Sequence, residues 1–75
     1  MQLFINGQAR EFPQLAPGAF LHHLIDALEL KGDRIAVEHN GVILPRGEWD
    51  QRKLANGDKV EIVHFVGGGC EQSFR

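Results

Sequence analysis

Three consecutive glycines, Gly67, Gly68 and Gly69, are the residues of this 75-residue sequence with the most specific chemical use. A glycine run has no Cβ atoms, so it enters a narrow channel where any side chain would clash. A carboxylate on its last glycine would be the least hindered acyl group that a protein can present. Because the run directly follows the last predicted strand, it suits a carrier whose C-terminus is modified inside a partner's active site. The alternative is an ordinary frayed chain end.

Conventional catalytic and metal-binding groups are sparse in the sequence. His22 and His23 are adjacent, so on a helix they point about 100° apart and do not chelate one metal together. His39 and His64 belong to separate predicted strands, and the single cysteine, Cys70, has no partner for an internal disulfide. We therefore expect no metal site, no bound cofactor and no enzyme active site in this chain.

The composition excludes several classes of protein. The length corresponds to one small domain, and a net charge of -2 without a basic block argues against nucleic-acid binding. No apolar stretch approaches the ~20 residues of a membrane span, and the N-terminus lacks the pattern of a secretory signal. We expect a soluble, cytoplasmic protein that binds neither nucleic acid nor membrane.

Asn-Gly pairs mark the turns between the elements that must hold the glycine run. They occur at positions 6–7, 40–41 and 56–57, and this pair favours the positive φ angles of a type I′ turn. The first pair predicts a hairpin of residues 2–5 and 8–12, and the second a hairpin of residues 35–39 and 42–44. The third precedes an alternating strand over residues 59–65.

Between the two hairpins the apolar period changes to that of a helix. Apolar residues recur every three or four positions, which predicts a helix over about residues 19–30, with Gly18 at its entry and Gly32 at its exit. One helix must bury its apolar stripe against one face of a sheet. The element order β-β-α-β-β-β therefore predicts an α+β fold, a β-grasp roll in which one helix packs on a mixed four- to five-stranded sheet.

The ordered set of segments resembles the ThiS family, the ubiquitin-like sulfur carriers of thiamine biosynthesis. The resemblance covers residues 1–69, and each segment alone is a weak match. The segments are MQLFING (1–7), LIDAL (24–28), AVE (36–38), VILPR (42–46), VEIV (60–63) and FVGGG (65–69), with Asn40, Trp49, Leu54, Gly57 and Asp58 between them.

The resemblance implies a ubiquitin-like β-grasp domain over residues 1–66, followed by a glycine tail at residues 67–69. It also implies that the carboxylate of Gly69 is adenylated by a ubiquitin-activating-type adenylyltransferase, which consumes ATP, and then becomes a thiocarboxylate. Thiazole synthase takes this sulfur for the thiazole ring. Gly67 and Gly68 would give the tail its unhindered entry into the partner's active site, and the carrier supplies no catalytic side chain.

Six residues, Cys70 to Arg75, follow Gly69, whereas members of this family commonly end at the glycines. A carboxylate that is part of a peptide bond cannot be adenylated, so we expect a protease to remove the extension at residues 70–75. A second hypothesis gives Cys70 a role, since a thiol directly after glycine permits an N-to-S acyl shift to a thioester.

Apolar residues beside the glycines are candidates for partner docking. Val63, Phe65 and Val66 would form a docking surface if they are exposed, and the alternative is that they pack beneath the helix. Trp49 either covers one end of the core or belongs to a contact surface.

Three other functions stay open at this point. They are a sulfur carrier of another pathway, such as the small subunit of molybdopterin synthase, a ubiquitin-like binding module, and a conjugated ubiquitin-like modifier. The pattern of Pro45, Arg46 and Trp49 favours the thiamine branch. Deletion of Gly68 and Gly69 would separate a carrier or modifier from a binding module, because only the first two depend on those glycines.

Overall fold

A computed structural model describes residues 1–64 of the chain. Within these residues, five strands form one mixed sheet and one α-helix covers one of its faces. No helix in this part of the chain is long and apolar enough to cross a membrane. In chain order the elements are β1 (Gln2–Ile5), β2 (Gln8–Glu11), α1 (Leu21–Ala27), β3 (Ile35–His39), β4 (Val42–Leu44) and β5 (Lys59–His64), with 3₁₀ helices at Gly32–Arg34 and Arg46–Gln51.

The last strand occupies the middle of the sheet, whose order is β2-β1-β5-β3-β4. β5 runs parallel to β1, with Val60 opposite Ile5, and antiparallel to β3, with Ile62 opposite Val37. Both predicted hairpins are present, and the parallel pair forms because the helix carries the chain across the sheet. The predicted α+β architecture is confirmed, with five strands in the sheet.

The core lies between α1 and the face of the sheet that β3 and β5 turn toward it. Trp49 is buried there, and its indole Nε1 donates a hydrogen bond to the carbonyl of Leu44 at 3.1 Å. Of the two positions predicted for Trp49, the core and a contact surface, the structure therefore confirms the core. The buried apolar residues are Leu3, Ile5, Phe12, Leu15, Leu21, Leu24, Ile25, Ile35, Val37, Leu44, Trp49, Leu54, Val60 and Ile62.

The helix is shorter than the apolar period predicts, and its exit lies earlier. Glu29 adopts a left-handed φ of 59°, and its N–H donates to the carbonyl of Asp26 at 3.0 Å. The N–H of Leu30 donates to the carbonyl of Ile25 at 3.2 Å, which completes a Schellman termination. This turn ends the helix and packs Leu30 against the core. The helix-like spacing of apolar residues in the sequence continues beyond the end of the helix because Leu28 and Leu30 both pack against the core.

The predicted roles of Gly18 and Gly32 at the helix ends are wrong. The helix begins after Phe20, whose N–H donates to Nδ1 of His23 at 3.0 Å. Gly32 lies beneath the side chains of the second 3₁₀ helix, where a Cβ atom would be 2.9 Å from Nε of Arg46 and 3.1 Å from Cζ3 of Trp49. Gly32 therefore permits close packing of the Arg46 and Trp49 side chains and does not terminate the helix.

Two of the three Asn-Gly turns have the predicted geometry. Asn6 and Asn40 have φ angles of 51° and 50°, and the glycines that follow them are also at positive φ, as a type I′ turn requires. At the third pair only Gly57 has positive φ, and the N–H of Asp58 donates to the carbonyl of Ala55 at 3.1 Å. This different turn leads into β5, which pairs parallel to β1 and does not form a hairpin with the segment that precedes the turn.

The asparagine side chains of these turns bind neighbouring strands. Asn6 Oδ1 accepts the Ile62 N–H at 2.7 Å, and Asn6 Nδ2 donates to the Ile62 carbonyl at 3.2 Å. Asn40 Oδ1 accepts the Lys59 N–H at 2.9 Å, and Asn56 Oδ1 accepts the Gln2 N–H at 2.7 Å. The amide of Asn6 thus extends the β1–β5 pairing beyond the end of β1, toward the point where β5 ends.

A buried histidine joins three other parts of the fold. His39 is the buried polar residue of the described core, and its Nδ1 accepts a hydrogen bond from Nε of Arg52 at 2.8 Å. The ring proton must therefore be on Nε2, which donates to Oδ2 of Asp58 at 2.7 Å. The same carboxylate oxygen accepts the N–H of Ala55 at 2.8 Å. The network ties β3 to the turn that precedes β5.

This network lowers the pKa of the Asp58 carboxyl. Partial burial acts in the opposite direction and would raise the pKa, but hydrogen bonds from the His39 ring, the Ala55 N–H and the Asn40 side chain outweigh it. The pKa consequently lies below its ordinary value of 3.8. Because the folded protein releases this proton more readily than the unfolded chain, the carboxylate stabilises the fold above pH ~4 and loses that contribution as the pH falls below it.

Replacement of Asn6 by glycine should destabilise the protein by about 1–3 kcal/mol, because the Ile62 N–H and carbonyl lose their partners in a partly buried place. Glycine tolerates the left-handed φ, so strain does not contribute. Asn56→Gly is the matched control, since it removes one exposed hydrogen bond, and it should cost less. Denaturant unfolding measures both, and amide hydrogen exchange should accelerate at Ile62 only in Asn6→Gly. Equal losses of unfolding free energy in the two variants would contradict a special role of the Asn6 side chain in holding β5.

Asp58→Asn should lower the free energy of unfolding by about 1–3 kcal/mol at pH 7, because it removes a charge-assisted hydrogen bond to His39. The gap between variant and parent should narrow as the pH falls from about 5 to 2, since Asp58 itself becomes protonated there. Urea unfolding at several pH values tests this. Asp50→Asn, at an exposed site, is the control and should change stability by less than about 0.5 kcal/mol. A gap that stays constant with pH would contradict the proposed role of the Asp58 charge.

Candidate functional site

The candidate site begins at the C-terminal end of β5. His64 is the last residue of that strand, and it lies opposite Ile35 at the start of β3. The predicted acyl position Gly69, the tail residues Gly67 and Gly68, and the extension at residues 70–75 lie outside the described residues, as do Phe65 and Val66. The structure therefore shows the base from which the glycine run departs.

The base is held from both sides. On one side β3 pairs with β5 along the whole length of that strand, up to His64. On the other side the backbone pairing to β1 ends where the Asn6 N–H donates to the Val60 carbonyl at 2.9 Å, and the Asn6 side chain then continues it to Ile62. The strand that leads to the glycines is consequently fixed almost to its last residue.

A cleft of about 490 Å³ opens beside this base, between the end of α1 and the first hairpin. Its lining includes the apolar residues Leu28 and Ile62 and the polar residues Arg10, Glu29 and His64. His64 is exposed at its edge. The cleft contains no pair of groups held in hydrogen-bond contact that would resemble a catalytic constellation in the described residues.

The open face of the sheet, opposite α1, carries the second feature of the site. The open face is defined here as the surface formed by Ala36, Glu38, Ile43, Glu61 and Val63. Together with the backbone of β3, these residues line a shallow, largely apolar groove of about 170 Å³. The predicted docking residue Val63 is half-buried on this face, not beneath the helix, because it alternates with the buried Val60 and Ile62 of its strand.

An acidic pair crosses the open face. Glu38 of β3 lies directly opposite Glu61 of β5, and Ile43 of β4 lies on the other side of Glu38. Within residues 1–64 the amino group of Met1 forms an ion pair with Glu11, and the His39 ring donates a hydrogen bond to Asp58. Neither Glu38 nor Glu61 has a cationic partner within 4.0 Å there. Ile43 is 75% exposed, the most exposed large apolar residue of the described chain.

The four histidines do not form a common site. The rings of His22 and His23 are in contact, with centroids 4.0 Å apart and planes tilted by 35°, and His23 accepts the hydrogen bond from Phe20 at the start of α1. His39 is buried in its network, and His64 is exposed at the other end of the strand pair. Among the described residues, no group of three histidine, cysteine or acidic side chains is arranged to hold a metal ion.

Sequence reasoning missed two features of this site. Asn6 is identified in the sequence only as a turn residue, because its hydrogen bonds to Ile62 depend on where β5 lies in the sheet. Glu38 and Glu61 each look like an isolated solvated residue of an alternating strand, and their juxtaposition depends on the register of β3 and β5. The alternation does predict that Glu61 and Val63 share one face.

Comparison with known proteins gives a consistent result. The ThiS family model matches residues 3–69. The sulfur carrier protein ThiS of Escherichia coli is 32% identical over 69 residues, which cover 92% of this chain and 100% of that protein. The crystal structure of the thiamine biosynthesis protein ThiS from Geobacter metallireducens has a TM-score of 0.78 at 33% identity, and the match covers 92% of this chain and 100% of that one.

A thiazole synthase of Paramagnetospirillum magneticum is also similar, with 37% identity over 73 residues. That match covers 97% of this chain, and the chain spans only about a fifth of the length of this synthase and of a second one from Magnetococcus marinus. The structural match confirms the predicted β-grasp roll. The family model extends from the first strand to the last glycine of the run, and the chain belongs to the ThiS family.

Proposed function

We propose that this chain is a sulfur carrier whose carboxylate at Gly69 becomes a thiocarboxylate that donates sulfur for thiazole formation in thiamine biosynthesis. The observation that carries the proposal is the extent of the family match, which ends at Gly69, the last glycine of the run. The name of the E. coli relative, a sulfur carrier protein, and that of the G. metallireducens relative, a thiamine biosynthesis protein, support the same function.

The chemistry takes place in two steps at the acyl carbon of Gly69. A carboxylate oxygen attacks the α-phosphate of ATP, and pyrophosphate leaves as the acyl-adenylate forms. A hydrosulfide ion then attacks the acyl carbon, AMP leaves with one of the original carboxylate oxygens, and the S–H proton is lost, so that sulfur replaces one oxygen. The ATP is bound by an activating enzyme of the ubiquitin-activating type. The chain is therefore a carrier and a co-substrate, not an enzyme.

The fold supports this function by separating a fixed base from a reactive end. β5 is paired with β3 up to His64 and is bound on the other side by β1 and Asn6 as far as Ile62, and five residues after His64 lead to Gly69. Five residues span at most about 17–18 Å when fully extended. A partner that binds the sheet next to β5 would therefore receive the acyl group within that radius.

Thiazole synthase is the partner that the comparisons favour. Two relatives with that name contain a segment similar to this chain, and in one of them the match makes up 22% of the protein. A protein that carries both parts keeps the sulfur donor beside its acceptor at high effective concentration. When the sulfur carrier and the synthase are separate chains, the two proteins have to bind each other for the transfer to occur.

The extension after Gly69 must be removed before the carrier can be charged. A protease that cleaves the bond between Gly69 and Cys70 would release the free carboxylate, and it would remove the single cysteine with the extension. The whole E. coli protein aligns over 69 residues, which supports a working end at or near Gly69.

Conversion to the thiocarboxylate is directly measurable by mass. A version of the chain that ends at Gly69, incubated with ATP, the activating enzyme and a sulfur source, should gain about 16 Da, the difference between sulfur and oxygen. Intact-mass spectrometry detects the change. A version ending at Val66, which keeps every described residue, is the matched control and should not be charged. No gain in mass with a competent activating enzyme would refute the carrier function.

Maturation has its own test in the native cell. The protein isolated from that cell should end at Gly69, and the uncut 75-residue chain should not be charged, because its Gly69 carbonyl is an amide. A Cys70→Ser variant should mature normally if a protease does the cutting, whereas the acyl-shift hypothesis requires the thiol. Active protein that retains residues 70–75 would contradict the proposed removal.

A further inference from the structure

The open face of the sheet contains two directly opposed carboxylates that form no ion pair within residues 1–64. Glu38 and Glu61 are cross-strand partners, and side chains in such positions have Cβ atoms about 4.5–5.5 Å apart. Like charges directly opposite each other destabilise a sheet. Within residues 1–64 no lysine, arginine or histidine forms an ion pair with either carboxylate.

Toward the end of β5 the surroundings of this pair are apolar, whereas toward the start of β5 Lys59 lines the same surface as Glu38 and Glu61. Ile43 flanks Glu38 on β4, and the next cross-strand pair toward the end of β5 is Ala36 with Val63. The groove between them has a volume of about 170 Å³, enough for the end of one long side chain and too small for a protein loop. Two carboxylates at the edge of an apolar groove form a site that is complementary to one cation on a partner surface.

We infer that the groove of the open face receives an arginine side chain of thiazole synthase, between Glu38 and Glu61, with apolar residues of the synthase packed on Ile43 and Val63. The inference rests on the proposed function, since thiazole synthase is the partner proposed there. A planar guanidinium has five N–H donors and can bind two carboxylates at once, which a lysine ammonium does less well. A cation placed there would also relieve the repulsion between the two glutamates.

The position of the groove suits the transfer of sulfur. Glu61 and Val63 belong to β5, the strand that leads directly to the glycine run. A synthase held on these residues would be within reach of the tail, because Gly69 lies six positions after Val63, a distance of at most about 20–22 Å along an extended chain. The groove would therefore set where the thiocarboxylate enters the synthase.

The test measures binding of the 75-residue chain to purified thiazole synthase of the same organism by isothermal titration calorimetry. The double variant Glu38→Gln/Glu61→Gln should bind at least about tenfold more weakly, and its binding should depend less on salt concentration. Its free energy of unfolding should stay the same or rise, because the like-charge repulsion has been removed. A purely structural role for the pair predicts the opposite change in stability.

Matched controls separate this site from the general effect of charge. Glu48→Gln/Asp50→Asn changes the net charge by the same amount at exposed positions of the second 3₁₀ helix, and it should leave the affinity unchanged. Ile43→Thr should weaken binding, whereas Val42→Thr should not, because Val42 belongs to the same strand but alternates to the other face.

Three results would overturn the inference. The first is equal affinity of the parent and the Glu38→Gln/Glu61→Gln variant, and the second is an equal loss in the control double variant. The third concerns a Glu38→Gln/Glu61→Gln version that ends at Gly69. If this version binds the synthase as the parent does but no longer forms the thiocarboxylate, the groove binds the activating enzyme instead. Thiocarboxylate formation by the parent version ending at Gly69 is measured in parallel, so failure of the carrier function appears there and not in the binding data.

Discussion

The pairing of the last strand into the middle of the sheet is the constraint on which the rest of this structure depends. β5 has β1 on one side and β3 on the other, so residues near the beginning of the chain are hydrogen-bonded to residues near its end. Such non-local contacts require the whole chain to be ordered before any of them is stable. The same arrangement makes the chain leave the sheet from a central strand, which is held by β3 up to His64 and by β1 and Asn6 as far as Ile62.

A domain of this size has few apolar residues to stabilise that arrangement, and hydrogen bonds from side chains contribute the remainder. Asn6 and Asn40 bind the backbone of β5 at its two ends, while Asp58 and His39 fix the turn before it. Each of these groups is satisfied by its neighbours, so their partial burial does not leave an unpaired polar atom. The tail's base therefore owes its position to polar contacts as much as to the core.

The strands and the first two turns could be predicted from the sequence because their signals are local. Alternation fixes which residues of β5 face the helix, and an Asn-Gly pair sets its own backbone angles. The helix end was predicted wrongly because the apolar period continues through Leu28 and Leu30, which pack on the core from a left-handed turn at Glu29. The pairing of Glu38 with Glu61 depends on strand order, which no local pattern encodes.

The open face of the sheet is also a consequence of the small size of the domain. One helix covers one face of a five-stranded sheet, and in the described residues no second element covers the other. An uncovered sheet face normally carries polar side chains, yet this one contains Ile43 and Val63 around two unpaired carboxylates. Because Glu61 and Val63 belong to the strand that precedes the glycine run in the sequence, a partner bound to this face would also limit where the run can reach. In the proposed function, recognition and chemistry would thus be coupled through the backbone of β5.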